Sequence, residues 1–195
     1  MDRSLAGIML LLGLPFIFAI ILLIKLGSPG PAIFAQHRLG YKGQVFVCYK
    51  FRSMYWDQPG ILEQYLLDNP GSTEKWDKYA KLKYDPRVTP LGRWLRRFSL
   101  DELPQLINVI KGDMSLVGPR PYLVTEKDRM GEYAETILSV LPGLSGLWQV
   151  KGRNEIDFAC RLQMDAWYAK NRSQRLDLFI MLQTLPTIIY GRGAY

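Results

Sequence analysis

From Ser4 to Ile24 the chain carries no charged side chain. A run of that length matches the roughly 20 apolar residues that cross a bilayer. No other stretch limits the fold as sharply, because whatever follows must fold beside a lipid-facing segment. A cleaved leader would end in a small-residue cleavage site. Here Gly27-Ser28-Pro29-Gly30-Pro31 follows and reads as a turn, so a retained membrane element is expected. Pro15, at the centre of the run, removes a backbone hydrogen bond and favours a kink. Arg3 lies before the run, and Lys25, His37 and Arg38 follow it. Positive charge at both ends suits a helix that returns to one face, whereas a crossing usually gathers Lys and Arg on one side. Taken alone, these residues leave crossing and re-entry equally open.

With 195 residues there is room for one domain with its own core beside the membrane segment. The net charge of +7 points to anionic partners: nucleic acid, anionic headgroups or phosphorylated substrates. No nucleic-acid motif is readable, so no nucleic-acid partner is expected. Walker-type and GxGxxG glycine patterns are missing, and so is zinc-type Cys/His spacing. Cys48 and Cys160 make no disulfide framework and are expected as reduced thiols, and His37 alone cannot build a metal cluster.

Short strands are expected at residues 32–34 and 44–51, around a Gly40–Gly43 turn. Helical patterns follow at 61–68, where Pro70-Gly71 ends the run, and at 73–84. Leu91, Trp94, Leu95 and Phe98 fall at i, i+3, i+4 and i+7, with Arg93, Arg96 and Arg97 off that stripe. Beside a membrane segment, this is the pattern of an interfacial amphipathic helix. A second amphipathic helix is expected over 100–112, another over 126–141, a loop-rich stretch over 142–154, and last helices over 158–170 and 177–190, with Pro186 as a late kink. The fold expected is mainly α with a few short strands.

The chemistry concentrates at the adjacent acids Asp101 and Glu102. Ser99-x-x-Glu102 fits a capping box, with Asp101 complementing a helix dipole. The same pair fits phosphate chemistry: a carboxylate can attack phosphorus while its neighbour holds Mg²⁺, which would neutralise a diphosphate and the acids together. Arg120 sits on a stiff Gly118-Pro119-Arg120-Pro121 loop, and arginine suits bidentate phosphate binding. Lys50, Arg52, Lys151 and Arg153 each read as a phosphate ligand or as a solvated surface charge.

Three long strings resemble the bacterial sugar transferases, the monotopic phosphoglycosyl transferases: SPGPAIFAQHRLGYKGQVFVCYKFRSM, VTPLGRWLRRFSLDELPQLINVIKGDMSLVGPRP and PGLSGLWQVKGRN. The resemblance covers nearly the whole chain. It implies transfer of a sugar-1-phosphate from a UDP-sugar to a polyprenyl (undecaprenyl) phosphate, with release of UMP and a need for Mg²⁺. It implies Asp101 as the nucleophile of a covalent phosphosugar intermediate and Glu102 as the metal-binding partner of the pair. Lys50, Arg52, Arg96, Arg97, Arg120, Lys151 and Arg153 would surround the phosphates. It implies a re-entrant membrane helix over residues 1–27, broken at Pro15, and a catalytic domain over 28–195 on the cytoplasmic face of the bacterial inner membrane. The chain end is similar to the branch that transfers glucose- or galactose-1-phosphate. Such an enzyme would open the assembly of an O-antigen, capsule or exopolysaccharide. UDP-sugar, polyprenyl phosphate and membrane lipids are the implied partners, and a homo-oligomer stays open. A scaffold docked on anionic membrane lipids, with no catalysis, is the alternative from another class.

Overall fold

The computed structural model describes residues 2–73, 82, 84–152 and 156–190. It is mainly helical, with a few short strands, as expected. The first helix, α1 (Asp2–Gly27), runs through Pro15 without breaking there. A single stripe faces the rest of the molecule: Ala6, Ile20 and Ile24 are buried, and Leu10, Ile17 and Ile21 pack against the core at the helical spacing between them. The remaining faces are bare, with Leu12 77% and Phe18 67% exposed. Both ends are tied down. The Asp2 carboxylate accepts from the Ser115 hydroxyl and, at 3.3 Å, from the Leu116 N–H. Past the other end, the Arg52 guanidinium donates to the carbonyls of Ser28 (2.8 Å), Ile24 (3.4 Å) and Pro29. A buried arginine thus satisfies carbonyls that a helix C-terminus leaves without partners.

Strands β1 (Ile33–Leu39) and β2 (Val45–Phe51) form an antiparallel hairpin in register from Ile33↔Phe51 to Leu39↔Val45. β1 is longer than the three residues expected, because every residue from Ile33 to Leu39 finds a partner on β2. Helix α2 (Ile61–Asp68) falls where the pattern placed it. Pro70-Gly71 does not turn the chain out, since residues 70–73 are again helical and proline suits a helix start. The charged helix expected over 73–84 lies almost wholly outside the described residues.

Helix α3 (Pro90–Arg97) is capped by Thr89, whose hydroxyl accepts from the Gly92 N–H at 2.8 Å. Its apolar stripe divides: Leu91 and Leu95 turn into the core, while Trp94 stays 45% exposed and meets Phe98 edge-on at 5.4 Å between centroids. The helix expected over 100–112 also divides. Ser99 is left-handed (φ 54°) and caps nothing, so the capping box does not form. A single 3₁₀ turn, Leu100–Glu102, precedes α4 (Gln105–Lys111), with Pro104 at the junction. The buried Asn108 side chain then bolts α4 to β2, donating to Val47 O (2.7 Å) and accepting from Tyr49 N–H (3.1 Å).

Strands β3 (Ser115–Val117) and β4 (Gly143–Ser145) pair in parallel. Between them, the helix expected over 126–141 becomes two 3₁₀ turns and the short α5 (Tyr133–Leu138). Gly131, at φ 52°, interrupts the run. The expected loop over 142–154 contains β4 and α6 (Leu147–Lys151). Helices α7 (Phe158–Asn171) and α8 (Gln174–Tyr190) close the described chain, with Pro186 inside α8. Leu103 packs against two of the three core clusters, one containing Ala6 and one containing Ile20 and Ile24. The acidic turn is therefore seated above α1.

Candidate active site

The hairpin, the acidic turn, the Gly118–Pro121 loop and α6 enclose a pocket of about 570 Å³. It collects Asp101 and Glu102 with Lys50, Arg52, Arg96 and Arg120, residues far apart in sequence. Arg97 and Lys151 are exposed and do not line it, and the Arg97 guanidinium lies over the Phe98 ring at 5.6 Å. Arg153 lies outside the described residues.

Lys50 reaches across from β2, and its Nζ donates to Glu102 Oε1 at 2.7 Å. Burial opposes the charge on Lys50, but the Glu102 and Asp101 carboxylates outweigh it and hold the ammonium above its ordinary range. The Asp101 carboxyl is pushed up by burial, pulled back by Lys50 and Arg96, and pushed further by Glu102. A half-buried carboxylate faced by two cations has the chemistry of a nucleophile towards phosphorus. Arg96 is positioned by Ser53, whose hydroxyl accepts from its Nε at 2.9 Å. Arg52 lines the pocket, yet its guanidinium bonds the Ser28 and Pro29 carbonyls just past α1. Its first role in this fold is to seat the helix.

Two carboxylates are a small donor set, and among the described residues no group of three His, Cys, Asp or Glu could hold a metal by itself. That set fits Mg²⁺, which takes one or two carboxylates and completes its shell with water and substrate phosphate.

Several lining residues gave no usable signal in the sequence. Arg38 shares a face of β1 with Gln36 and is 8% exposed. It donates to Gln36 Oε1 at 2.6 Å and to Pro121 O at 3.1 Å. Period-2 alternation along β1 could have placed both on one face, but not in the pocket. Phe34, Tyr55 and Trp56 form an exposed aromatic rim close to the end of α1. Gly30 is required there: at φ 108°, a Cβ would lie 2.6 Å from Trp56 Cγ. Trp148 and Gln149 wall the opposite end.

The bacterial sugar transferase family profile matches residues 1–191. The chain is 46% identical over 166 residues to the undecaprenyl-phosphate galactose phosphotransferase of Salmonella typhimurium, covering 85% of this chain and 35% of that protein. It is 42% identical over 194 residues to the exopolysaccharide production protein ExoY of Rhizobium meliloti, covering 100% of this chain and 86% of that one. Against the undecaprenyl-phosphate glucose phosphotransferase of Komagataeibacter xylinus the identity is 39% over 203 residues, 97% of this chain and 35% of the relative. The chain thus spans about a third of the two phosphotransferases and most of ExoY. On the strength of a profile that runs almost end to end, the chain belongs to the bacterial sugar transferase family.

Proposed function

We propose that this chain is a membrane-bound phosphoglycosyl transferase that moves a sugar-1-phosphate from a UDP-sugar to polyprenyl phosphate and releases UMP. The observation that carries the reading is the shared pocket: a half-buried Asp101 beside the Lys50–Glu102 pair, with Arg96 and Arg120 facing the same space. Relatives named as undecaprenyl-phosphate galactose and glucose phosphotransferases support glucose- or galactose-1-phosphate as the transferred group. The relative named for exopolysaccharide production supports a place in surface glycan assembly.

In the first half-reaction an Asp101 oxygen attacks the sugar-bearing phosphorus. The P–O bond to the inner phosphate breaks, and its electron pair leaves on UMP. In the second, a phosphate oxygen of the lipid attacks the same phosphorus and the Asp101 carboxylate departs unchanged. Lys50 pairs with Glu102 and orients it, and Arg96 and Arg120 bind phosphate oxygens. Glu102, with Asp101 beside it, would hold Mg²⁺. When bound, the ion supplies neutralisation of phosphate charge.

The bare Leu, Ile and Phe faces of α1 support a lipid setting, since an apolar surface of that extent is costly in water. The two tethered ends support re-entry to the cytoplasmic face of the inner membrane rather than a crossing. A UMP-release assay across a panel of UDP-sugars, with polyprenyl phosphate and Mg²⁺, tests the reading. Wild-type protein should release UMP with at least one sugar, and folded Asp101→Asn should release none. Silence across the panel would favour the lipid-docked scaffold, and full activity in the Asn variant would remove Asp101 from the chemistry.

A further inference from the structure

The pocket holds more positive charge than Asp101 and Glu102 account for. Three arginines gather around one indole. Arg161, on α7, is 6% exposed and lies over the Trp148 ring at 4.4 Å, and Arg120 lies over the same ring at 5.9 Å. Arg38 comes in from β1, with its guanidinium bonded to the Pro121 carbonyl of the Arg120 loop. Arg38 and Arg161 are both pushed down from the ordinary arginine range, first by burial and next by repulsion from Arg120. The Nε atoms of all three are buried without a hydrogen-bond partner, as is Trp148 Nε1. Two acids, Asp165 and Glu126, face these three cations, and Asp165 Oδ1 is itself buried without a hydrogen-bond partner. Asp165 Oδ2 accepts from the Tyr122 hydroxyl (2.8 Å) and the Arg120 N–H (3.1 Å), and Glu126 accepts from the Leu123 N–H at 2.7 Å. Burying like charges together is unfavourable unless an anion completes the site.

Building on the transferase reading, we propose that Arg38, Arg120 and Arg161 form a second anion subsite, which takes the phosphate monoester of the departing nucleotide. A phosphate monoester could also arrive on the lipid. The surroundings favour the nucleotide. On one side this subsite rests on a core of Leu39, Tyr122, Met130, Ile137, Leu162 and Ala166; on the other, the core holding Leu147 and Leu144 includes Ala6 of α1. The core beneath Phe51 and Leu95, at the other end of the pocket, contains Ile20 and Ile24 of α1. The exposed Phe34, Tyr55 and Trp56 rim suits a prenyl chain, while the polar, cation-rich wall at Trp148 suits a soluble nucleotide. Arg38 and Arg120 line the space, and Arg161 reinforces them from behind the indole.

The test uses the full chain in nanodiscs. Equilibrium binding of labelled UMP, and separately of a short-chain polyprenyl phosphate, is measured for wild type, Arg38→Gln, Arg161→Gln and the surface control Arg129→Gln. UMP affinity should fall at least tenfold in the first two and stay unchanged in the control, while lipid-phosphate affinity changes less than threefold. Arg161→Lys keeps the charge and should recover part of the loss. If the Gln variants do not fold, Arg38→Lys and Arg161→Lys carry the test, because each loses the planar fork and should still weaken UMP measurably. Wild-type UMP affinity in folded variants overturns the subsite, and a loss confined to the lipid phosphate overturns its assignment to the nucleotide. A wild-type chain that binds UMP through these arginines but transfers nothing would sink the transferase reading and leave the subsite standing. Normal turnover with unaltered UMP affinity would do the reverse.

Discussion

Asp165 shows how one side chain can shape a pocket that it does not line. It is fully buried, holds the Arg120 backbone in place and fixes the Tyr122 hydroxyl. Burial pushes its carboxyl up to about 6, against the pull of the Tyr122 hydroxyl, the Arg120 N–H and the Arg161 and Arg120 guanidiniums. The folded chain therefore keeps a proton that the unfolded chain gives up in the ordinary carboxylate range. Stability falls as pH rises from that range to about 6 and levels off above it. Asn keeps an acceptor for both donors but carries no proton to lose. The stability of Asp165→Asn relative to wild type should improve by about 2 kcal/mol between pH 4 and pH 7. Denaturation curves in detergent at several pH values measure this, and parallel pH profiles for the two proteins would refute it. Asp101, Glu102, Lys50 and Arg120 were legible because acid pairs and proline-locked arginines announce themselves locally. Arg38, Arg161 and Trp148 were not, since only the fold brings β1, α6 and α7 to one wall.

Helices show the same division between local and tertiary signals. The 61–68 pattern gave α2 to the residue because nothing competes with it there. Over 100–112 the apolar spacing was right, yet the left-handed Ser99 and Pro104 cut the run into a turn and α4, and the candidate acids Asp101 and Glu102 sit in that turn. Periodicity reports which face is apolar and is silent about backbone reversals imposed by packing. Close approach of elements is equally invisible. Gly92 on α3 lies against β2's continuation, where a Cβ would stand 1.9 Å from Ser53 O. That carbonyl cannot retreat without losing its bond from the Thr89 N–H at 3.0 Å. Gly92→Ala should cost about 1–3 kcal/mol and weaken activity, since Ser53 also positions Arg96. An unchanged denaturation midpoint would show that α3 can shift freely. For α1, Asp2 and Ser28 are bonded to the same domain, so a cysteine placed at Asp2 should react only with reagents that reach the cytoplasm. Labelling from the periplasm would establish a crossing helix instead. Pro15→Leu restores a backbone hydrogen bond and removes the ring clash, and should shift part of the population towards crossing.

At the scale of the whole molecule, the proposed reaction brings a soluble donor and a membrane-bound acceptor to one 570 Å³ pocket with one half-buried Asp101. Both substrates carry phosphate charge. Holding them there together would set two anions at a separation where their repulsion is strongest and least screened. A covalent relay on Asp101 avoids this, because UMP can leave before the lipid phosphate enters. Half of the reaction should then run without lipid. Enzyme, UDP-sugar and Mg²⁺ should release about one UMP per active site and stop until polyprenyl phosphate is added, and steady-state kinetics should be ping-pong. With a phosphorus-labelled UDP-sugar the label should stay on the protein, be lost on adding lipid, and be absent from Asp101→Asn. Kinetics of a ternary complex, with no labelled protein, would rule out the relay. The reaction class would survive that result, and the pocket would have to accommodate both anions at once through Lys50 and its arginines.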